Sequence, residues 1–347
     1  MSPILKQRTA ALPARAIRPD RVPVSLVYQE GAFAQVRFKD GTAAESACLG
    51  CPDLPCMEYS EEELRVPGFK DFPADLNPDV CPTLAITVNG KALPSIQPER
   101  CIACGLCASR CPVGAIRIDT KLGAVITEKV NDQVFPLATS TNEIRRTRTM
   151  LASAARVGRL VTESDKLLTT AMTKIEAIGD VTTQFPNHLS RNLLMAVGIP
   201  TAMRRRGDVN LRMDLVMQNG VAEVEYMRQA LLDSPRNVLD NVAVVVSRYG
   251  MPMANLVPLI VSIGLPNQRG EYWQVINDAA TVLNLKIRSL TAGALLVLVW
   301  SGTRLKFNGD LFYTQPEMFS IRRDVEKAIG RKLQISDGLL ALFESSK

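Results

Sequence analysis

The string Cys101-Ile102-Ala103-Cys104-Gly105-Leu106-Cys107-Ala108-Ser109-Arg110-Cys111-Pro112 constrains this chain more than any other feature. Its spacing, C-x2-C-x2-C-x3-C-P, sets three thiolates on one tight loop, where they can take three corners of an iron–sulfur cube. Zinc would instead want two C-x2-C knuckles set some distance apart. All 8 cysteines of the 347-residue chain fall between 48 and 111. In a reducing compartment such clustering reads as metal binding and not as disulfides.

A second, stretched copy precedes the first. Cys48-Leu49-Gly50-Cys51 leads to Cys56 in a C-x2-C-x4-C loop, and the next cysteine, Cys81, follows 25 positions later. The run Cys81-Pro82-Thr83-Leu84-Ala85-Ile86 parallels Cys111-Pro112-Val113-Gly114-Ala115-Ile116, which marks an internal duplication. Each copy is expected to end in a short strand that buries its isoleucine beside a cube. Over residues 45–118 the pattern resembles the bacterial dicluster ferredoxins, departing from them at the x4 spacing and at the insertion Met57–Val80. The resemblance implies two [4Fe–4S] clusters with crossed ligation: Cys48, Cys51, Cys56 and Cys111 on one, Cys101, Cys104, Cys107 and Cys81 on the other. Upstream, Val24–Phe38 alternates like a hairpin with Glu30-Gly31 at its turn, and is expected to cover one side of this domain.

Charge narrows the choice of partners a little. Lys and Arg number 41 against 35 Asp and Glu, a formal +6 that two −2 clusters would lower to about +2. The basic residues form runs at Arg145, Arg146 and Arg148, at Arg204, Arg205 and Arg206, and at Arg322 and Arg323. Solvated helix faces and phosphate contacts both fit such runs. The first twenty residues are basic and proline-punctuated, without the apolar run of a secretory signal. The longest apolar stretches, Leu256–Leu265 and Ala292–Trp300, are too short to span a bilayer. A cytoplasmic protein with no membrane partner is the expectation.

Beyond about residue 140 the pattern changes. Asn142–Ile178 has helical spacing, Phe185-Pro186 closes that segment, and Asn187–Val197 reads as a further helix capped by Asn187 and stopped by Gly198. Apolar or alternating runs at Leu211–Met217, Val221–Met227, Leu256–Ile263 and Ala292–Trp300 interleave with helical stretches Ser234–Tyr249 and Glu271–Leu283. That is an α/β order opened by a hairpin. Asn219-Gly220 favours a two-residue turn, which pairs Gln218 with Val221 and so Asp214 with Glu225, with Glu223 on the same face. Three carboxylates then converge, an arrangement that costs stability unless something cationic joins them. Mg2+ or Mn2+ would do so, taking one or two carboxylates plus water and phosphate oxygens. A solvated hairpin face neutralised in part by Arg212 is the alternative, and a three-residue turn would separate Asp214 from Glu225. The chain's one histidine, His188, reads as a packing or capping residue, and no glycine-rich phosphate loop is present.

A helix, a strand bearing Asp, a strand bearing an acidic residue, then a helix and another strand resembles the restriction-endonuclease-like nucleases over residues 185–302. Asp214 stands at the family's aspartate, Glu223 at its second acidic position, and Glu225 where lysine is usual. The resemblance implies Asp214, Glu223 and Glu225 as catalytic metal ligands, with Arg204, Arg205 and Arg206 on the phosphates of a nucleic acid, DNA foremost.

The expected architecture is thus an α+β ferredoxin-like dicluster domain followed by an α/β restriction-endonuclease-like domain. Residues 1–22 form a flexible basic tail, 23–135 the cluster domain, 136–184 a helical linker and 185–347 the α/β domain. The expected activity is metal-dependent phosphodiester hydrolysis, redox-regulated and by analogy of fold serving restriction or defence. The alternative is an electron-transfer subunit docked on a partner oxidoreductase, since two adjacent clusters suit relay.

Overall fold

A computed structural model describes residues 54–88, 94–111, 165–179, 184–208, 213–228, 230–314 and 318–347, together with the backbone of strands at 23–27, 35–38, 43–44, 116–119 and 123–126. Cys48, Cys51, Arg212, the basic run at 145–148 and the turn at Glu30-Gly31 lie outside the described residues. So does much of the expected 136–184 linker, whose described part is helical from Asp165 to Gly179.

The chain forms two compact units that are not contiguous in sequence. The first gathers residues 1–59, 79–163 and 299–302; the second gathers 60–78, 164–298 and 303–347. The body of the insertion, expected within the cluster domain, therefore belongs to the second unit. Its neck is closed in the first unit by an antiparallel bridge between Glu58 and Asp79 and by the Val80 amide donating to the Met57 carbonyl at 2.8 Å.

In the first unit, β1 (Pro23–Val27) and β2 (Gln35–Phe38) pair antiparallel, as the alternation at 24–38 suggests, and β3 (Ala43–Ala44) joins β2. Two short hairpins follow the two cysteine-proline steps. They are β4 (Ile86–Val88) with β5 (Pro94–Ile96), and β6 (Ile116–Asp119) with β7 (Gly123–Ile126). Both expected isoleucines are buried, Ile86 on β4 and Ile116 on β6. Between the hairpins lies the five-residue helix α1 (Leu106–Arg110).

The second unit is built on a mixed five-stranded sheet. The helices α2 (Asp165–Gly179) and α3 (Gln184–Ala196) precede β8 (Thr201–Met203), β9 (Leu215–Met217) and β10 (Gly220–Glu225). Then come α4 (Ser234–Tyr249), β11 (Val257–Ser262), α5 (Glu271–Leu283) and β12 (Arg288–Thr291). The order across the sheet is β12-β11-β10-β9-β8, with β8, β9 and β10 mutually antiparallel and β10, β11 and β12 parallel. Helix α4 packs on β10 and β11, and α3 packs on β8. Leu259, Ile260 and Val261 are fully buried in succession, as befits a strand covered on both faces.

Three expectations are corrected. Pro186 does not end a helix but sits in the first turn of α3, where a missing amide hydrogen costs nothing; Asn187 is then inside the helix and not its cap. Ala292–Trp300, placed among the strand-like runs, is a buried helix, α6. Its start is set by Thr291, whose hydroxyl accepts from the Ala294 amide at 3.1 Å, a cap that turns the chain out of β12. The hairpin register also differs. Met217 pairs with Gly220 and Leu215 with Ala222, so the turn centres on Gln218-Asn219, with Asn219 at a φ of 62°. Gly220 is the first residue of β10, and a Cβ there would lie 2.3 Å from the Val257 carbonyl oxygen of the parallel neighbour. Among the described residues no helix is long and apolar enough to cross a membrane.

That close approach yields a test. Gly220→Ala must push β10 and β11 apart, an overpacking cost of about 2 kcal/mol. The unfolding midpoint followed by circular dichroism should fall by roughly 4–8 °C. An unchanged midpoint would mean that the two backbones are not held this closely.

Candidate functional sites

In the first unit, Cys81, Cys101, Cys104 and Cys107 line one small cavity, walled by Ile86, Ile96, Ile102 and Leu106. The chain reaches this arrangement through an unusual backbone. Ala103 and Gly105 both take left-handed φ values, 58° and 80°, which coil Cys101–Cys107 tightly enough to bring its three sulfurs to one side. Two backbone amides point at sulfur: Ala85 donates to Cys81 Sγ at 3.2 Å and Ala103 to Cys101 Sγ at 3.4 Å. Burial pushes the Cys104 and Cys107 thiols well above the ordinary range, and the neighbouring sulfurs, Cys81 among them, push the same way. Four thiolates around one cavity, three of them buried and Cys81 half-buried, are unfavourable without a cation; a bound metal inverts that balance. The cavity's donor set therefore fits an iron–sulfur cube, with amide hydrogens supporting its sulfurs.

Cys81 thus lies with the sulfurs of the later motif. Of the other expected set, Cys56 is buried and Cys111 is half-buried. Arg110 ties their two segments together. Its guanidinium donates to the Pro55 carbonyl at 2.6 Å and the Glu58 carbonyl at 3.3 Å, and it stacks 4.0 Å from the Tyr59 ring centre.

In the second unit the carboxylates meet differently from the expected register. With Leu215 opposite Ala222, the register carried one step further sets Asp214 against Glu223, two residues from the expected partner Glu225. A shift of two keeps every side chain on its face, so the acidic cluster survives the correction. Asp214 and Glu223 are both 9% exposed. Asp214 Oδ1 accepts from Asn187 Nδ2 at 3.1 Å and from Arg204 Nη2 at 3.2 Å, and Oδ2 accepts from the Val224 amide at 3.1 Å. Glu223 Oε1 and Oε2 accept from Asn237 and Asn241 of α4, each at 3.0 Å. Glu225 turns to the strand end and accepts from the Met227 amide at 2.7 Å. Asn187 was singled out in the sequence only as a helix cap, and Asn237 and Asn241 not at all; the signal for the last two was their i, i+4 spacing on α4.

Burial raises the pKa of all three carboxyls. Glu223 rises to about 7, from burial first and the Asp214 charge second, against the pull of its two amide partners. Asp214 is raised by burial and opposed by Val224, Arg204 and Asn187; Glu225 is raised by burial and opposed by the Met227 amide. Among the described residues no three His, Cys, Asp or Glu side chains are gathered to hold a single metal ion; four sulfurs spread around one cavity suit a multi-iron cube and not a lone ion, and Asp214, Glu223 and Glu225 do not form the expected three-carboxylate site. A divalent cation here would have Asp214 and Glu223, with water and substrate oxygens completing its shell. The fit is conditional: ionised carboxylates offer about four acceptor sites each, and Arg204 must leave Asp214 to make room. Arg205 and Arg206 are exposed on the turn after β8, where Gly207 has a φ of 78°. His188 is buried in α3.

Comparison with known proteins speaks to the first unit. Residues 94–117 match the family model described as a 4Fe-4S binding domain. A protein named as an uncharacterized ferredoxin, from Methanocaldococcus jannaschii, is 33% identical over 89 residues, which is 26% of this chain and 43% of that relative. The match thus spans less than half the relative's length. No solved structure matches the chain. The cysteine region is accordingly an iron–sulfur, ferredoxin-like module in a chain of mixed α/β structure.

The Glu223 carboxyl gives a pH test in the absence of added divalent metal. Its folded pKa of about 7 lies above its ordinary 4.5, so the folded state binds the extra proton between those values. Stability from this group is therefore full below about pH 4.5 and falls as pH rises through 7. Glu223→Gln should flatten that decline and raise stability at pH 8 by on the order of 2–3 kcal/mol. Parallel stability-versus-pH curves for the two proteins would count against the assignment.

Proposed function

We propose that this chain is a two-cluster iron–sulfur protein whose second unit is a divalent-metal-dependent nuclease. The observation that carries the nuclease reading is the pairing of Asp214 with Glu223 across adjacent strands, buried beneath the amides of α4 and beside Arg204. Supporting it, a helix, the antiparallel strands β9 and β10, a helix and the parallel strand β11 follow in the order that the restriction-endonuclease-like resemblance implies, with β8 as an additional strand ahead of β9. Mg2+ or Mn2+ bound there would polarise a phosphodiester and activate water. The chain's own part is to hold that cation on Asp214 and Glu223. Glu225, at the family's lysine position, would have to leave the Met227 amide to reach the reacting water, and Arg204, Arg205 and Arg206 would neutralise the phosphates of the nucleic acid, DNA foremost. Arg204 would give up Asp214 for a phosphate were a cation and substrate bound.

In the first unit the four-cysteine cavity takes one cube, and Cys48, Cys51, Cys56 and Cys111 take the other. Purified anaerobically, the chain should carry about eight iron and eight acid-labile sulfide. Cys81→Ser should deplete the cube held by Cys101, Cys104 and Cys107 while leaving the other. About four iron in the wild type, or zinc in its place, would overturn the assignment.

A second reading has its own support: the relative bears the name ferredoxin, and under it the module is an electron relay for a partner oxidoreductase. Cleavage assays separate the two. Under the nuclease reading, iron-replete protein cuts DNA with Mg2+ or Mn2+, and Asp214→Asn lowers the rate at least about 100-fold with iron content unchanged. Cleavage that survives Asp214→Asn, or an iron-replete wild type that cuts neither DNA nor RNA, would falsify the nuclease reading.

A further inference from the structure

Trp300 stands 196 positions beyond Cys104 in sequence, yet residues 299–302 belong to the first unit. The indole is fully buried, and its Nε1–H donates to the Cys104 carbonyl at 3.0 Å. The ring also lies against Gly105: a Cβ built there would be 3.3 Å from both Cδ1 and Nε1. Gly105 has a φ of 80°, so this point of the loop is left-handed and free of a side chain where the indole packs. Cys101, Cys104 and Cys107 depend on that backbone shape to face one cavity with Cys81.

Resting on the iron–sulfur reading of that cavity, we propose that Trp300 is the positioning residue of the cube held by Cys81, Cys101, Cys104 and Cys107. Its hydrogen bond fixes the peptide after Cys104 and its ring blocks water from the loop's outer side. Tight loops of this spacing carry their own ligands, but the Cys104 carbonyl accepts from a donor at the far end of α6. A carbonyl left buried without a donor is costly, so the loop would reopen to find water. Water reaching the sulfurs alters both the cube's lifetime and its electronics.

Trp300→Phe keeps a ring and removes the donor; Trp300→Leu removes both. In the full chain, anaerobically loaded, bleaching of the visible cluster absorption in air should quicken at least about fivefold in Trp300→Phe and further in Trp300→Leu. In the electron paramagnetic resonance spectrum of the reduced protein, one of the two cluster signals should shift and the other stay. The protein has 2 tryptophans, so Trp273→Phe leaves Trp300 as the sole indole emitter. Its emission should be quenched in the loaded protein and rise at least about threefold on cluster removal. Unchanged bleaching and an unchanged spectrum in Trp300→Phe would overturn the proposal. So would equal perturbation of both cluster signals together with a lowered unfolding midpoint, because that is general destabilisation. A wild type that binds no iron would instead overturn the iron–sulfur reading itself, which iron analysis of the same preparation detects.

Discussion

Mutual repulsion among buried sulfurs is the constraint on which the first unit depends. Cys101, Cys104 and Cys107 are buried against isoleucine and leucine with the half-buried Cys81 beside them, and burial together with the neighbouring sulfurs disfavours the Cys104 and Cys107 thiolates. Every nearby feature lowers that difficulty or presumes it solved. Left-handed residues coil the loop, amides turn toward sulfur, and Arg110 brings the segment of Cys56 alongside the helix that ends at Cys111. A packed apolar core could have filled the same volume with less strain; sulfurs in these positions make physical sense around a cluster.

The second unit manages buried charge by another route. Its carboxylates are not neutralised by a ring of cations but divided among amide donors and one arginine. Asn237 and Asn241 hold Glu223 without adding charge, so the site stays responsive to any cation that enters. A lysine in place of either would satisfy Glu223 outright and leave little for a metal to gain.

The cysteine chemistry was legible in the sequence because spacing alone dictates it: three ligands to one cube must be local, and the prolines mark where the chain leaves. The crossed position of Cys81 followed from the same rule. The hairpin was legible in its faces but not in its register. Asn219-Gly220 carries the usual signature of a turn, yet the glycine is required for a different reason, the approach of the Val257 carbonyl from the parallel neighbour. Sequence shows that a glycine is needed and not which contact needs it. Ala292–Trp300 failed for a related reason: a helix buried on all sides has no polar stripe, so its period is silent, and only Thr291 as a cap distinguishes it from a buried strand. The indole donor to Cys104 was beyond reach, since no local pattern links residues 196 positions apart.

The interleaving of the two units bears on how the chain is made. Residues 60–78 are synthesised long before the sheet they join, and residues 299–302 long after the cysteine loops they complete. During vectorial synthesis the first unit waits for residues 299–302, while the inserted segment waits for strands not yet translated. No single cut yields two intact parts: a fragment ending before residue 299 lacks the indole, and one starting after the last cysteine lacks 60–78. The chain is therefore one assembly unit in time even though it forms two bodies in space.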